Sequence, residues 1–106
     1  MSVKVAVVDY GLGNLHSVET ALAHLGVQVI VAENGAQLAA ADKILLPGVG
    51  AFSDGMEGLR RAGHIEPLKA AAAAGTPLLG ICLGAQLMLS HSEEFGLTEG
   101  LGLIPG

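Results

Sequence analysis

Apolar residues in this chain fall into short β-branched runs, separated by stretches in which they return every three or four positions. Val3 to Val8 is the first run; it ends at Asp9 and predicts a buried strand. Beyond the loop Tyr10-Gly11-Leu12-Gly13-Asn14, the residues Leu15, Val18, Leu22 and Leu25 share one face of a predicted helix. Asn14 suits its N-cap and Gly26 its stop. Val27 to Ala32 predicts a second strand, Gln37 to Ala41 a short helix, and Lys43 to Leu46 a third strand. Ser53 to Ala62 and Glu66 to Ala74 read as two helices, the second with Pro67 in its first turn and Gly75 at its end. Pro77 to Ile81 is the fourth strand, Cys82 the turn after it, and Ala85 to His91 the last helix.

Strands that alternate with helices imply right-handed crossovers. The expected fold class is therefore α/β: a doubly wound parallel sheet with helices on both faces, in a single domain over residues 1–106. No internal repeat or linker interrupts it, and Ala70 to Gly75 is a helix end of low complexity. The apolar end Leu101-Gly102-Leu103-Ile104-Pro105-Gly106 reads as the approach to another element, so the expected fold is incomplete and the chain truncated.

Composition sharpens this picture. Apolar residues make up 51% of the chain, only 3% is aromatic and 16 residues are glycine, which suits strands packed closely under helices better than a β-sandwich. Five basic residues lie scattered among ten acidic ones, for a net charge of −5, and no basic stripe offers itself to nucleic acid. A single cysteine rules out an internal disulfide framework and fits a reducing cytosol. Asp9 and the glycine loop come too early for a signal peptide, and the longest apolar stretch, around Pro77 to Leu89, is too short and too interrupted to span a bilayer. A soluble cytoplasmic protein with no membrane partner is expected.

That one cysteine sits in Gly80-Ile81-Cys82-Leu83-Gly84, the glycine-x-nucleophile-x-glycine spacing of a nucleophile elbow. A sharp strand-to-helix turn holds the middle residue proud of the sheet, and only glycine on each side leaves room for the crossing chain. The thiol then stands at a helix N-terminus, whose dipole favours thiolate, with the N–H of Leu83 placed as an oxyanion donor. A buried structural cysteine is the plainer alternative; the β-branched run before it and the amphipathic stretch after it favour the elbow. Pro47-Gly48-Val49-Gly50, at the end of another strand, can turn backbone N–H groups toward an anion, although an ordinary strand-end turn would look the same.

Other motifs carry less. Gly11-Leu12-Gly13-Asn14 follows a strand and opens a helix, but His16 stands where a dinucleotide fingerprint needs its third glycine. His16, His24, His64 and His91 show no metal-ligand spacing with Cys82, and no metal or cofactor is expected. His91, nine residues along the predicted helix, would be about 13 Å from Cys82 by helical rise. His64-Ile65-Glu66 has the spacing of an oriented imidazole but runs into Pro67, so it reads as a helix start.

In order and spacing, VDYGLGNLHSVETAL, LLPGVGAF, GICLGAQLML and SEEFGLTEGLGLIPG closely resemble the class I (triad) glutamine amidotransferase family, specifically the glutaminase subunits of imidazole glycerol phosphate synthase. The resemblance runs along nearly the whole chain. It implies a flavodoxin-like half of an amidotransferase domain, the N-terminal half. It implies that Cys82 attacks the side-chain amide of glutamine, with Gly48, Val49, Gly50 and Leu83 forming the oxyanion site and Gln86 and Glu94 holding the substrate. The implied partner is a (β/α)8-barrel cyclase subunit that receives ammonia for histidine biosynthesis, with Tyr10 to Asn14 near the interface.

The family completes its triad with a His-x-Glu pair far downstream of the cysteine, and this chain has none there, so the resemblance implies a nucleophile without its base. Ala85 also stands where a larger side chain is common. Two other readings remain open: a non-catalytic half-domain that self-associates through exposed apolar surface, and a different elbow enzyme. Leu83, where an assisting His or acid would serve the latter, counts against it.

Overall fold

The computed structural model describes residues 3–11, 15–93 and 97–106. Four parallel strands form its sheet: β1 (Lys4–Val8), β2 (Gln28–Ala32), β3 (Lys43–Leu46) and β4 (Leu78–Gly80), in the spatial order β2-β1-β3-β4. Val5 faces Val29 on one side of β1 and Lys43 on the other, while Leu46 faces Gly80 across β3 and β4. Parallel neighbours need crossovers, supplied by α1 (Leu15–His24), α2 (Gly35–Ala39), α3 (Phe52–Arg61) and α4 (Ile65–Ala73). After β4 come α5 (Leu83–Leu87) and an antiparallel pair, β5 (His91–Ser92) and β6 (Thr98–Glu99).

The alternation within β1 explains the two layers. Ala6 and Val8 face one core, which gathers Leu38 of α2, Phe52, Met56 and Leu59 of α3, Leu68 of α4, and Leu83 and Leu87 of α5. Val5 and Val7 face the other way, with Leu45, onto Leu15, Val18 and Leu22 of α1. A strand used on both faces has no polar side to show, hence its continuous β-branched run. Each fully buried leucine contributes about 2 kcal/mol of transfer free energy. On α3, Glu57 pairs with Arg60 and Arg61 along the exposed face; such pairs add little.

The second layer is thin. A groove of about 250 Å³ lies open beside α1, lined by Val5, Leu22, Leu45, Pro77, Leu78 and Leu79 among others. Leu79 is 61% exposed. The outer edge of β4 pairs with no other described strand.

Most expected elements appear within a residue or two, and β3 has the expected bounds. Two details differ, and a third falls outside the described residues. Leu25 leaves the apolar face of α1, because the helix ends at His24 and Gly26 turns the chain at φ 77°. The expected cap at Asn14 lies outside the described residues. The last helix stops at Leu87 instead of reaching His91. There Leu101 N donates to Leu87 O at 2.8 Å, Leu103 N to Met88 O at 2.9 Å, and Gly102 N to Leu89 O at 3.0 Å. The returning segment 101–103 thus takes the carbonyls that a longer helix would have used. No helix among the described residues is long and apolar enough to cross a membrane.

Candidate active site

In a parallel sheet the carboxyl ends of the strands share one edge, where open α/β folds bind their ligands. Here that edge carries Asp9 after β1, Glu33 after β2, the Pro47–Gly50 loop after β3, and Ile81-Cys82 after β4.

Cys82 is exposed and adopts φ 55° and ψ −121°, the only non-glycine residue with positive φ among those described. A side-chain-bearing residue there stores strain of roughly 1–3 kcal/mol. The flanking glycines show what makes the turn feasible. A Cβ on Gly80 would stand 2.6 Å from Ala85 Cα, and one on Gly84 only 1.8 Å from Leu46 O. The chain therefore crosses itself at both glycines, as the spacing predicted. Ile81 N donates to Leu46 O at 3.0 Å, and Cys82 O accepts from Ala85 N at 3.0 Å and Gln86 N at 3.3 Å, which starts α5. With five residues, α5 offers a shorter dipole than the expected helix would.

The loop after β3 lies against this elbow. Leu83 N donates to Gly48 O at 3.2 Å, so in this arrangement the Gly48 carbonyl occupies the expected oxyanion donor. Val49 is 62% exposed, and Gly50 takes φ 113°, a region open mainly to glycine. Behind the loop is a residue whose role the sequence did not disclose. Tyr10, buried, donates its phenol to Pro47 O at 2.5 Å. Burial pushes that phenol up to about 12. A lone tyrosine directly after a buried strand was the available signal, but its partner is 37 positions away.

Gln86 is exposed on α5 and lines a cleft of about 240 Å³ with Phe52, Leu89, His91 and Ser92. Glu94 lies outside the described residues, as do Leu12, Gly13 and Asn14 of the first loop. His64 is fully buried at the start of α4, and its Nε2 donates to Asp9 O at 2.9 Å, while Nδ1 finds no partner. It closes a helix junction, as its place before Pro67 suggested. His91 belongs to β5, not to a helix running on from Cys82. Among the described residues, no imidazole is hydrogen-bonded to the Cys82 thiol. Nor are three His, Cys, Asp or Glu side chains grouped to hold a metal. An open depression of about 620 Å³ at the ends of β1 and β2 is lined by Asp9, Glu33, Asp54 and Glu57, with Arg61 as the only cation among the described lining residues.

An exposed thiol held on a glycine-flanked turn, beside a loop rich in backbone donors, is equipped for attack on an acyl carbon. The family model described as glutamine amidotransferase class-I matches residues 6–97. The imidazole glycerol phosphate synthase subunit HisH of Sulfurimonas denitrificans is 53% identical over 102 residues, which cover 96% of this chain and 49% of that protein. Subunit HisH 1 of Legionella pneumophila strain Lens is 52% identical over 102 residues, covering 96% and 48%. The chain thus spans about half the length of the curated relatives it matches. A solved structure described as a glutamine amidotransferase superposes with a TM-score of 0.79 at 21% identity, over 93% of this chain and 52% of that one; at that identity the likeness concerns the fold.

Proposed function

Because the chain belongs to the class-I glutamine amidotransferase family, we propose that it is the N-terminal half of a glutaminase subunit serving imidazole glycerol phosphate synthesis. The observation that carries this reading is the Cys82 elbow: positive φ, glycines whose Cβ positions are filled by crossing chain, and the Pro47–Gly50 loop in contact.

In this reading the Cys82 thiolate attacks the side-chain amide carbon of glutamine. The C–S bond forms and the amide oxygen takes the negative charge. The nitrogen takes up the proton that the thiol gave up, collapse breaks the C–N bond, and ammonia leaves. Water then attacks the γ-glutamyl thioester, releasing glutamate and restoring the thiol. Gly48, Val49, Gly50 and the Leu83 N–H are the proposed donors to the oxyanion. Leu83 can serve only once the Gly48 carbonyl withdraws from it. Gln86 and Glu94 are the proposed glutamine contacts, a carboxylate suiting the substrate's ammonium group. No imidazole among the described residues activates the thiol, so the 106-residue chain alone is expected to be inactive.

The wider setting is part of the same proposal: a cytoplasmic hydrolase half-reaction, coupled in a heterodimer to a (β/α)8-barrel cyclase with lyase chemistry, delivering ammonia for histidine biosynthesis. The relatives' names support it, since they are subunits of imidazole glycerol phosphate synthase. The test is ammonia release from glutamine by this chain, with and without the second half that its relatives carry, and with a cyclase subunit present or absent. Release that needs the second half and disappears in Cys82→Ala supports the reading; release unaffected by Cys82→Ala refutes it.

The bare groove at Leu79 favours a second reading, a non-catalytic half-domain that associates with its own copies. A stable homo-oligomer whose thiol stays inert even with the second half present would select it.

A further inference from the structure

We infer that Tyr10 is a positioning residue: its phenol wedges the Pro47–Gly50 loop against the elbow and keeps the Gly48 carbonyl on the Leu83 amide. The inference takes its functional meaning from the acyl-transfer reading of Cys82.

The geometry has two parts. First, the hydroxyl donates to Pro47 O at 2.5 Å and fixes the peptide that leads into Gly48. Second, Gly48 has no room for a side chain. A Cβ there would lie 2.0 Å from the Tyr10 hydroxyl and 3.3 Å from Leu83 Cβ. Gly48 is thus pinched between the phenol and the first residue of α5. The ring cannot retreat, because α3 backs it: a Cβ on Gly58 would lie 2.4 Å from Tyr10 O and 3.1 Å from Cδ2. Two glycines, one on each side, form a slot for one aromatic ring.

The bond held by this wedge is a long one. Leu83 N to Gly48 O measures 3.2 Å, beyond the usual 2.9–3.0 Å of a backbone bond. A bond of that length has room to lengthen when the contact behind it is removed. Without the hydroxyl, Pro47 O loses its donor and Gly48 gains room to draw back. The Leu83 N–H then becomes available to a substrate oxyanion. Tyr10 therefore holds the oxyanion site closed, and whatever shifts Tyr10 opens it.

Tyr10→Phe keeps the ring and removes the hydroxyl. The first readout is amide hydrogen exchange. Leu83 should exchange roughly tenfold faster, the scale of one neutral hydrogen bond, while Val7 and Leu45 in the sheet keep their rates. The second readout compares two reagents at Cys82. With p-nitrophenyl acetate, the thiolate sulfur bonds the acetyl carbon, the ester C–O bond breaks, and p-nitrophenolate leaves with the electron pair after an oxyanion has formed. With iodoacetamide, sulfur displaces iodide at a saturated carbon and no oxyanion forms. Acyl transfer should rise several-fold and alkylation should stay unchanged; a merely structural defect would move both together.

Unchanged Leu83 exchange, or a ratio of acyl transfer to alkylation no higher than in the parent, overturns the inference. Should Tyr10→Phe also lose protection at Val7, Gly48→Ala decides instead. Its added methyl collides with the phenol and must lift the loop, so Leu83 exchange should rise; a Leu83 amide that stays protected there overturns the wedge. Neither readout uses glutamine, so absent ammonia release would count against the glutaminase reading and not against the wedge.

Discussion

Gly84→Ala probes the crossing that defines the elbow. The new methyl would lie 1.8 Å from Leu46 O and 2.7 Å from Leu46 C. These are backbone atoms of β3, an interior strand, and no rotamer change moves them aside. The Leu46 carbonyl also accepts the Ile81 N–H at 3.0 Å, so displacing it breaks a bond worth about 1 kcal/mol. Overpacking against a rigid neighbour adds about 1–3 kcal/mol. The helix propensity gained on leaving glycine returns up to about 1 kcal/mol, because Gly84 lies in the first turn of α5. The balance is a destabilisation of about 1–4 kcal/mol, centred on about 2–3 kcal/mol. Read by urea unfolding under far-UV circular dichroism, with an m-value of about 1.5 kcal/mol/M, the midpoint should fall by about 1.3–2 M for the central values. Gly55→Ala is the internal comparison. Its methyl meets Leu87 side-chain carbons at 3.0 Å, which can swing away, so its cost should stay below about 1 kcal/mol. A Gly84→Ala chain within about 0.5 kcal/mol of the parent, or one costing less than Gly55→Ala, would refute the crossing-chain argument.

Cys82→Gly should raise stability by about 1 kcal/mol in the same assay while abolishing alkylation, because glycine tolerates φ 55° and ψ −121°; Cys82→Ala should give no such gain. Alkaline pH should expose the burial of Tyr10, whose phenol moves from 10.0 up to about 12. Below pH 10 both states keep the proton; between 10 and 12 the unfolded chain loses it first, so stability declines through that window and levels beyond it. The stability difference between Tyr10→Phe and the parent, followed across the window, should isolate this decline. Leu59→Ala, at a fully buried site of α3, should cost about 2–5 kcal/mol by urea titration. Leu79→Lys should leave stability within about 0.5 kcal/mol and shift sedimentation toward the monomer wherever the parent self-associates; loss of the fold instead would show that the groove is not a free surface.

The strands were legible because a parallel strand buried on both faces has one chemical character along its length, as in Val5 to Val8. The elbow was legible because its constraint is local: the chain collides with itself within a few residues of Cys82. Other features depended on distant partners. The Asn34 side chain accepts Gln37 N at 3.1 Å and starts α2 at Gly35, two residues before the expected Gln37. The last helix loses its final turn to the segment at 101–103. Likewise, the occupation of the Leu83 amide by Gly48, 35 positions earlier, has no sequence periodicity to announce it. The roles proposed for Gln86 and Glu94 rest on the family resemblance, since spacing alone would not have suggested them.

The order of strands also bears on how the Cys82 turn can be completed. Every pairing in the main sheet is parallel and spans a crossover, so no hairpin can seed it. In the finished sheet β4 pairs with β3 alone, so its place exists only once β3 is beside it. Cys82 follows β4. Before β4 docks, its thiol belongs to a mobile segment without the strained turn; afterwards it is fixed beside the Gly48 loop. Pulsed alkylation during refolding would therefore resolve two kinds of the same thiol, and the moment of change would date the completion of the sheet.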